Sequence, residues 1–144
     1  MQPHFRTVGE IMLTNHLATS EETTAHDVAM KLLHAGYQGL PVLDREGRVV
    51  GKITEINLLR ALKDGRDLKH TRVADIMAPP PPVVGAETPL EVAMEIMEAH
   101  RLIRLPVMRG TRFVGSVTRH DLLRAWLGVW VEHHSGASQT AVIG

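Results

Sequence analysis

Two stretches of this chain, 64 or 65 residues apart, carry the same landmarks in the same order, and any fold must accommodate both copies. Val8, Ile11 and Met12 recur as Val73, Ile76 and Met77. Thr24, Val28, Ala29, Met30 and Ala35 recur as Thr88, Val92, Ala93, Met94 and Ala99. Leu40-Pro41-Val42 returns as Leu105-Pro106-Val107, Val50-Gly51 as Val114-Gly115, and Thr54 as Thr118. Leu58-Leu59-Arg60-Ala61 closes the first copy and Leu122-Leu123-Arg124-Ala125 the second. The offset slips by one only between elements, where loops absorb an insertion. Two copies are too few for a solenoid, so the expectation is two units packed on each other around one shared core. Their bounds are taken as 8–65 and 73–130, with 131–144 a loose tail.

Each copy reads as helix, strand, strand, helix after a short lead-in. Thr88-Pro89-Leu90-Glu91 has the signature of a helix start, with Thr at the N-cap, Pro at N1 and Glu at N3. Val92, Ile96 and Met97 then form its apolar face, to about His100. Thr24 with Asp27 plays the same part ahead of Val28, Leu32 and Leu33. Short strands at Leu40 to Leu43 and Val49 to Ile53 flank the turn Asp44-Arg45-Glu46-Gly47. The second copy has strands at Leu105 to Met108 and Phe113 to Val117, turning at Arg109-Gly110, and a last helix starts at Thr54 or Thr118. Pro79 to Pro82 predicts a stiff, extended lead-in.

Charge narrows the partners. Sixteen Lys and Arg balance sixteen Asp and Glu, which gives no general attraction to nucleic acid or to an anionic membrane. The chain has no Cys, which excludes disulfides, thiolate catalysis and Cys-based zinc or iron–sulfur sites. The longest apolar run, Ala125 to Val131, is too short to cross a bilayer, and the first residues lack a signal-peptide apolar core. A cytoplasmic protein is expected.

The segments VGEIM and VADIM, GLPVLDREGRVVGKITEINLLRAL and RLPVMRGTRFVGSVTRHDLL resemble the CBS domain, a module of roughly 60 residues usually found in tandem. The resemblance covers nearly the whole chain. It implies an α+β fold in which two β-α-β-β-α units pack through their sheets about a pseudo-two-fold axis, often within a disc-shaped dimer. It also implies a regulatory role, with AMP, ADP or ATP bound between the units; S-adenosylmethionine, NADH or a metal ion serve other members, and some have no known ligand.

The family's ligand motif runs Gly, apolar, any, Thr or Ser, two of any kind, then Asp. Here it reads Gly115-Ser116-Val117-Thr118-Arg119-His120-Asp121, with polar Ser116 at the second position. Thr118 stands at a helix N-terminus, where free N–H groups favour an anion, and an Asp one turn on can accept both hydroxyls of a ribose. The same spacing also suits a plain N-cap with its reciprocal partner, and both readings stand. In the first copy Asn57 replaces the Asp after Thr54, and Gly39 stands where the second copy has Arg104. The resemblance assigns a basic residue there to a phosphate. It thus implies a better site with Arg104, Gly115, Thr118 and Asp121, closed by Leu17, Ala18 and Thr19, and a weaker one with Thr54, Asn57, Val83, Val84 and His120.

The nine His show no tight ligand spacing, and no metal site is expected. Trp126 and Trp130, one turn apart, are read as packing residues on the last helix, with surplus apolar surface left for a homodimer. No nucleophile–base pair, P-loop or dinucleotide fingerprint is present, so an enzyme is not expected. Two functions remain: a nucleotide-sensing module that signals to a separate protein, or an interaction module that dimerises without a ligand.

Overall fold

The computed structural model describes residues 6–11, 13 and 15–129. The 131–144 tail, Met12 and Trp130 lie outside the described residues. A 3-10 turn at Val8–Glu10 leads into β1 (Thr19–Ser20), α1 (Ala25–Ala35), β2 (Gly39–Leu43), β3 (Val49–Thr54) and α2 (Glu55–Lys63). A second 3-10 turn at Leu68–His70 precedes α3 (Val73–Ile76), β4 (Val84–Gly85), α4 (Leu90–His100), β5 (Arg104–Arg109), β6 (Arg112–Thr118) and α5 (Arg119–Leu127). The strands form two three-stranded sheets, β1-β2-β3 and β4-β5-β6, each with one parallel and one antiparallel pairing. This is the α+β, twice-repeated β-α-β-β-α order expected from the sequence.

Local chemistry accounts for most element ends. The Thr24 hydroxyl accepts the Asp27 N–H at 3.1 Å and starts α1, which stops at Gly36 in the left-handed region (φ 74°). Thr54 and Thr118 cap α2 and α5 in the same way, each with the residue three on reciprocating. Asp44 builds the β2–β3 turn: its Oδ1 accepts the N–H groups of Glu46 and Arg48, both at 2.9 Å, and Arg48 Nε donates to Oδ2 at 2.8 Å.

Thr88 departs from its expected role. Pro89 is the N-cap of α4, and the Thr88 hydroxyl instead accepts the Gly85 N–H at 3.1 Å, holding the turn after β4. The Leu90 N–H donates to the Arg6 carbonyl at 3.1 Å, so the chain's own lead-in satisfies a donor that a cap would have taken. Thr88→Ala is expected to cost about 1 kcal/mol, the worth of one such bond, read from the denaturation midpoint. Its site of action is β4 rather than the helix, so amides at positions 84–86 should lose hydrogen-exchange protection before those of α4.

The helix faces also differ from the apolar spacing. In α4 the buried residues are Leu90, Ala93 and Met97, whereas Val92 is exposed and Ile96 only half-buried. In α1 they are Ala25, Val28 and Leu32, and Leu33 is 72% exposed. The faces through Ala25, Val28 and Leu32 and through Leu90, Ala93 and Met97 are the ones the two cores bury, which leaves Leu33 and Val92 outward.

Each repeat has its own core rather than a shared one, and the lead-in turns are exchanged. Val8 and Ile11, from the start of the chain, pack with Leu90, Met97, Leu105, Val107, Val117 and Leu122 of the second repeat. Val73, Ile76 and Met77 pack with Val28, Leu32, Leu40, Val42 and Ile53 of the first. Beyond the turns, the backbone of each lead-in crosses onto the other repeat's last strand. Ser116 N–H donates to the Asn15 carbonyl at 2.8 Å, and Lys52 and Ala78 exchange two bonds at 2.8 and 3.0 Å. The crossings explain two glycines. A Cβ at Gly115 (φ 141°) would lie 3.0 Å from the Asn15 oxygen, and one at Gly51 would lie 2.9 Å from the Ala78 oxygen.

The Arg48 backbone N–H at Asp44, its guanidinium and the Glu46 N–H hold the Asp44 carboxyl below its usual range. Glu10, through the Arg6 and Thr7 N–H groups, and Asp67, through His70, are lowered as well. Depressed folded values contribute stability that is fully present above the unfolded-state value of about 4 and is lost as pH falls through the folded one. Tm is therefore expected to decline below about pH 4, with a shallower decline in Asp44→Asn, measured by thermal melts across that window.

Candidate functional site

The sheets face each other through residues that alternate out of the cores. Along β3, Gly51 and Ile53 are buried toward the helices while Lys52 and Thr54 turn to the opposite face. Gly39 and Pro41, paired with Thr54 and Lys52, share that face. Arg104, Pro106 and Ser116 are their counterparts on the second sheet. Between the two faces lies a cleft of about 180 Å³, bordered by Gln38, Gly39, Leu40, Pro41, Lys52, Thr54 and Pro81 on one side and Leu102, Ile103, Arg104, Pro106 and Ser116 on the other.

Arg104 bridges the repeats. Its guanidinium stacks over the Tyr37 ring at 5.4 Å from the centroid, and Nη1 donates to the Gly39 carbonyl at 3.4 Å. A Cβ at Gly39 would lie 3.1 Å from the Ile53 oxygen and from the Thr54 methyl, so the bare backbone there serves the close pairing with the end of β3. Lys52 makes no ion pair among the described residues, and no carboxylate lines the cleft. Two cations with no balancing acid on apolar walls are a chemistry that can receive an anion attached to an apolar body.

The residues expected to act together are only partly brought together. Thr118 and Asp121 form a complete capping box: Thr118 N–H donates to Asp121 Oδ2 at 2.9 Å and Asp121 N–H to the Thr118 hydroxyl at 3.0 Å. Arg124 Nη2 donates to Asp121 Oδ1 at 2.7 Å, and the Asp121 side chain is 2% exposed. Both carboxylate oxygens are thus engaged within α5 and its start, and neither residue borders the cleft. Arg104 pairs with Thr118 in the β5–β6 register, but its guanidinium reaches toward the first repeat. Gly115 is pressed against the Asn15 backbone, and His120 is exposed on α5.

On the other side, Asn57 Oδ1 accepts both the N–H and the hydroxyl of Thr54 at 2.9 Å. Thr54 borders the open volume and Asn57 does not. The two sides differ in detail: the cleft borders Thr54 and does not border Thr118, Asp121 or Asn57.

The closing segments sit a few residues from where they were expected. Leu13, Asn15 and His16 contact Gly115 and Ser116, whereas Leu17 packs on the first repeat's core and the Ala18 carbonyl accepts Lys31 Nζ at 3.2 Å. Thr19 is buried in β1 beside Val42, its hydroxyl without a hydrogen-bond partner among the described residues. Pro81 borders the cleft in place of Val83, which is exposed, and Val84, which is in the second core. Lys52 was not legible as a site residue. Its signal was a charged side chain at the apolar second position of the Gly51-Lys52-Ile53-Thr54 motif, on the Thr54 face of the strand.

The CBS domain profile matches residues 8–64 and 73–128. A CBS domain-containing protein of Dictyostelium discoideum is 32% identical over 124 residues, covering 78% of this chain and 86% of that protein. Arabinose 5-phosphate isomerase KdsD of Pseudomonas aeruginosa is 33% identical over 72% of the chain, and inosine-5'-monophosphate dehydrogenase of Methanocaldococcus jannaschii 28% over 80%. The chain spans only 32% and 22% of the length of those two enzymes. Among solved structures, CBSX2 in complex with AMP superposes with a TM-score of 0.70 at 29% identity, covering 87% of this chain and 98% of that one; CBSX2 is from Arabidopsis thaliana.

Proposed function

Because the chain belongs to the CBS domain family and carries the domain twice, we propose that it is a regulatory module that binds an adenine nucleotide between its repeats and signals to a separate protein. The observation that carries this reading is the cleft: apolar walls, two cations and no acid, bordered by the N-terminal end of α2. The likeness to an AMP complex supports AMP, ADP and ATP as the first ligands to test, with S-adenosylmethionine and NADH behind them. Arg104 meets the phosphate, and the nucleotide sits beside Thr54, displaced from the Asp121 side. This reading is of a non-catalytic role, in keeping with a match to the enzymes among the relatives over a third of their length or less. A cytoplasmic location fits the absence of Cys, and among the described residues no helix is long and apolar enough to cross a membrane.

Isothermal calorimetry against this ligand panel is the test. Saturable binding of an adenine nucleotide is the expected result; silence across the panel would favour the second reading, an interaction module without a ligand. That second reading draws on Asp121, whose oxygens are already occupied.

Under either reading we propose a homodimer. The grounds shift from the tryptophans, since Trp126 packs on the second core and α5 ends at Leu127. They rest on the outer helix faces, where Met30, Leu33, Ile56, Leu59, Leu62, Leu123 and Leu127 are each more than half exposed. Light scattering at micromolar concentration should give twice the 15.9 kDa chain mass; a value near 15.9 kDa would defeat the dimer.

A further inference from the structure

We infer that Lys52 and Arg104 form a two-cation clamp across the cleft that selects a nucleotide with two or more phosphate groups over the monophosphate. This rests on the reading that the cleft takes an adenine nucleotide, and it adds which one. The two cations come from facing sheets: Lys52 from β3 of the first repeat and Arg104 from β5 of the second. Arg104 places its guanidinium at the Gly39 carbonyl, and Gly39 lies two residues from Pro41, the strand partner of Lys52. That separation is about 7 Å along the strand, wider than one phosphate group and within the span of two linked ones.

A single phosphate held at the Arg104 fork satisfies one cation and leaves the other facing apolar walls without a counter-charge. A second phosphate supplies it. The backbone of Lys52 is fixed by its two bonds to Ala78, which anchors the base of its side chain at one place along the cleft. The arrangement is also one-sided. Where the first repeat has Lys52 the second has Ser116, neutral and 1% exposed. One polyphosphate per chain therefore follows, despite the internal repeat.

The experiment titrates AMP and ADP by calorimetry into the full chain and into Lys52→Met and Arg104→Met, which keep the stem volume and leave the backbone pairing intact. The wild-type chain is expected to bind one ADP, about tenfold or more tighter than AMP, the worth of one charge-assisted contact. Lys52→Met should bring the two affinities to within about threefold by weakening ADP alone, and Arg104→Met should weaken both. An unchanged melting temperature in Lys52→Met identifies its loss as local, whereas Arg104→Met also removes the bridge to Tyr37 and Gly39 and is expected to melt somewhat lower. An ADP-to-AMP ratio that Lys52→Met leaves unaltered, or two ADP per chain, would overturn the clamp while leaving nucleotide binding in place. No binding of either nucleotide to the wild-type chain would overturn both.

Discussion

Asp121→Ala is expected to lower the free energy of unfolding by about 3–4 kcal/mol, far more than a surface cap would cost. The reason is burial: the carboxylate is 2% exposed and its partner Arg124 is 17% exposed, so the pair exchanges ionic and hydrogen-bonding partners in a medium with little water. Removing the acid takes the acceptor from both the Thr118 N–H and Arg124. Asn57, its counterpart, is neutral and half-buried, and its side chain bonds Thr54 alone among the described residues, so Asn57→Ala should cost about 1 kcal/mol. Urea denaturation of both variants checks this. Equal losses would mean that the Asp121 carboxylate is held no more firmly than the Asn57 amide. The same variants read against AMP decide whether Asp121 has a ligand role as well: calorimetry should show little change in affinity at either position, and a loss at Asp121 that exceeds its effect on stability would restore the ribose contact.

The second large effect concerns Val73, which the repeat assigns to the second copy and the structure packs into the first. Val73 is fully buried, so Val73→Ala should cost about 2–3 kcal/mol, combining lost transfer energy with the cavity left behind. The informative readout is its location. Hydrogen exchange should show β2 and β3 losing protection while β5 and β6 keep most of theirs, because Val73 touches the first core. Val8→Ala should do the converse, loosening the second repeat from a position at the start of the chain. Effects confined to each residue's own copy would contradict the exchange.

The elements that sequence alone determined are those whose stabilising contacts are short-range. Thr24, Thr54 and Thr118 cap their helices through N–H groups three residues away, and Asp44 shapes its turn through residues two and four away. A side chain and a backbone donor that close together meet in almost any tertiary setting, so spacing sufficed. The repeat and the matching Leu-Pro-Val strands carried the fold class for a related reason: two copies of one pattern must form two copies of one unit. Thr88 shows the limit. Its capping signature is complete, yet a backbone carbonyl from Arg6, more than 80 positions upstream, occupies the donor at the start of α4.

Everything decided across larger separations waited for the tertiary structure. Which core Val8 and Val73 enter, and how far α1 and α4 rotate, depend on which partner surface buries more apolar area, a comparison that no single segment contains. The candidate site follows the same rule. Asp121 matches a ligand motif in sequence, but Arg124 lies one turn on in the same helix and takes its free oxygen once both are buried. Lys52 matches nothing, but the pleat turns it to the inner face, and the opposing sheet brings Arg104 across to the carbonyl of Gly39. Sequence determined which side chains are chemically able to hold an anion; only the packing of one sheet on the other decided which of them face the same space.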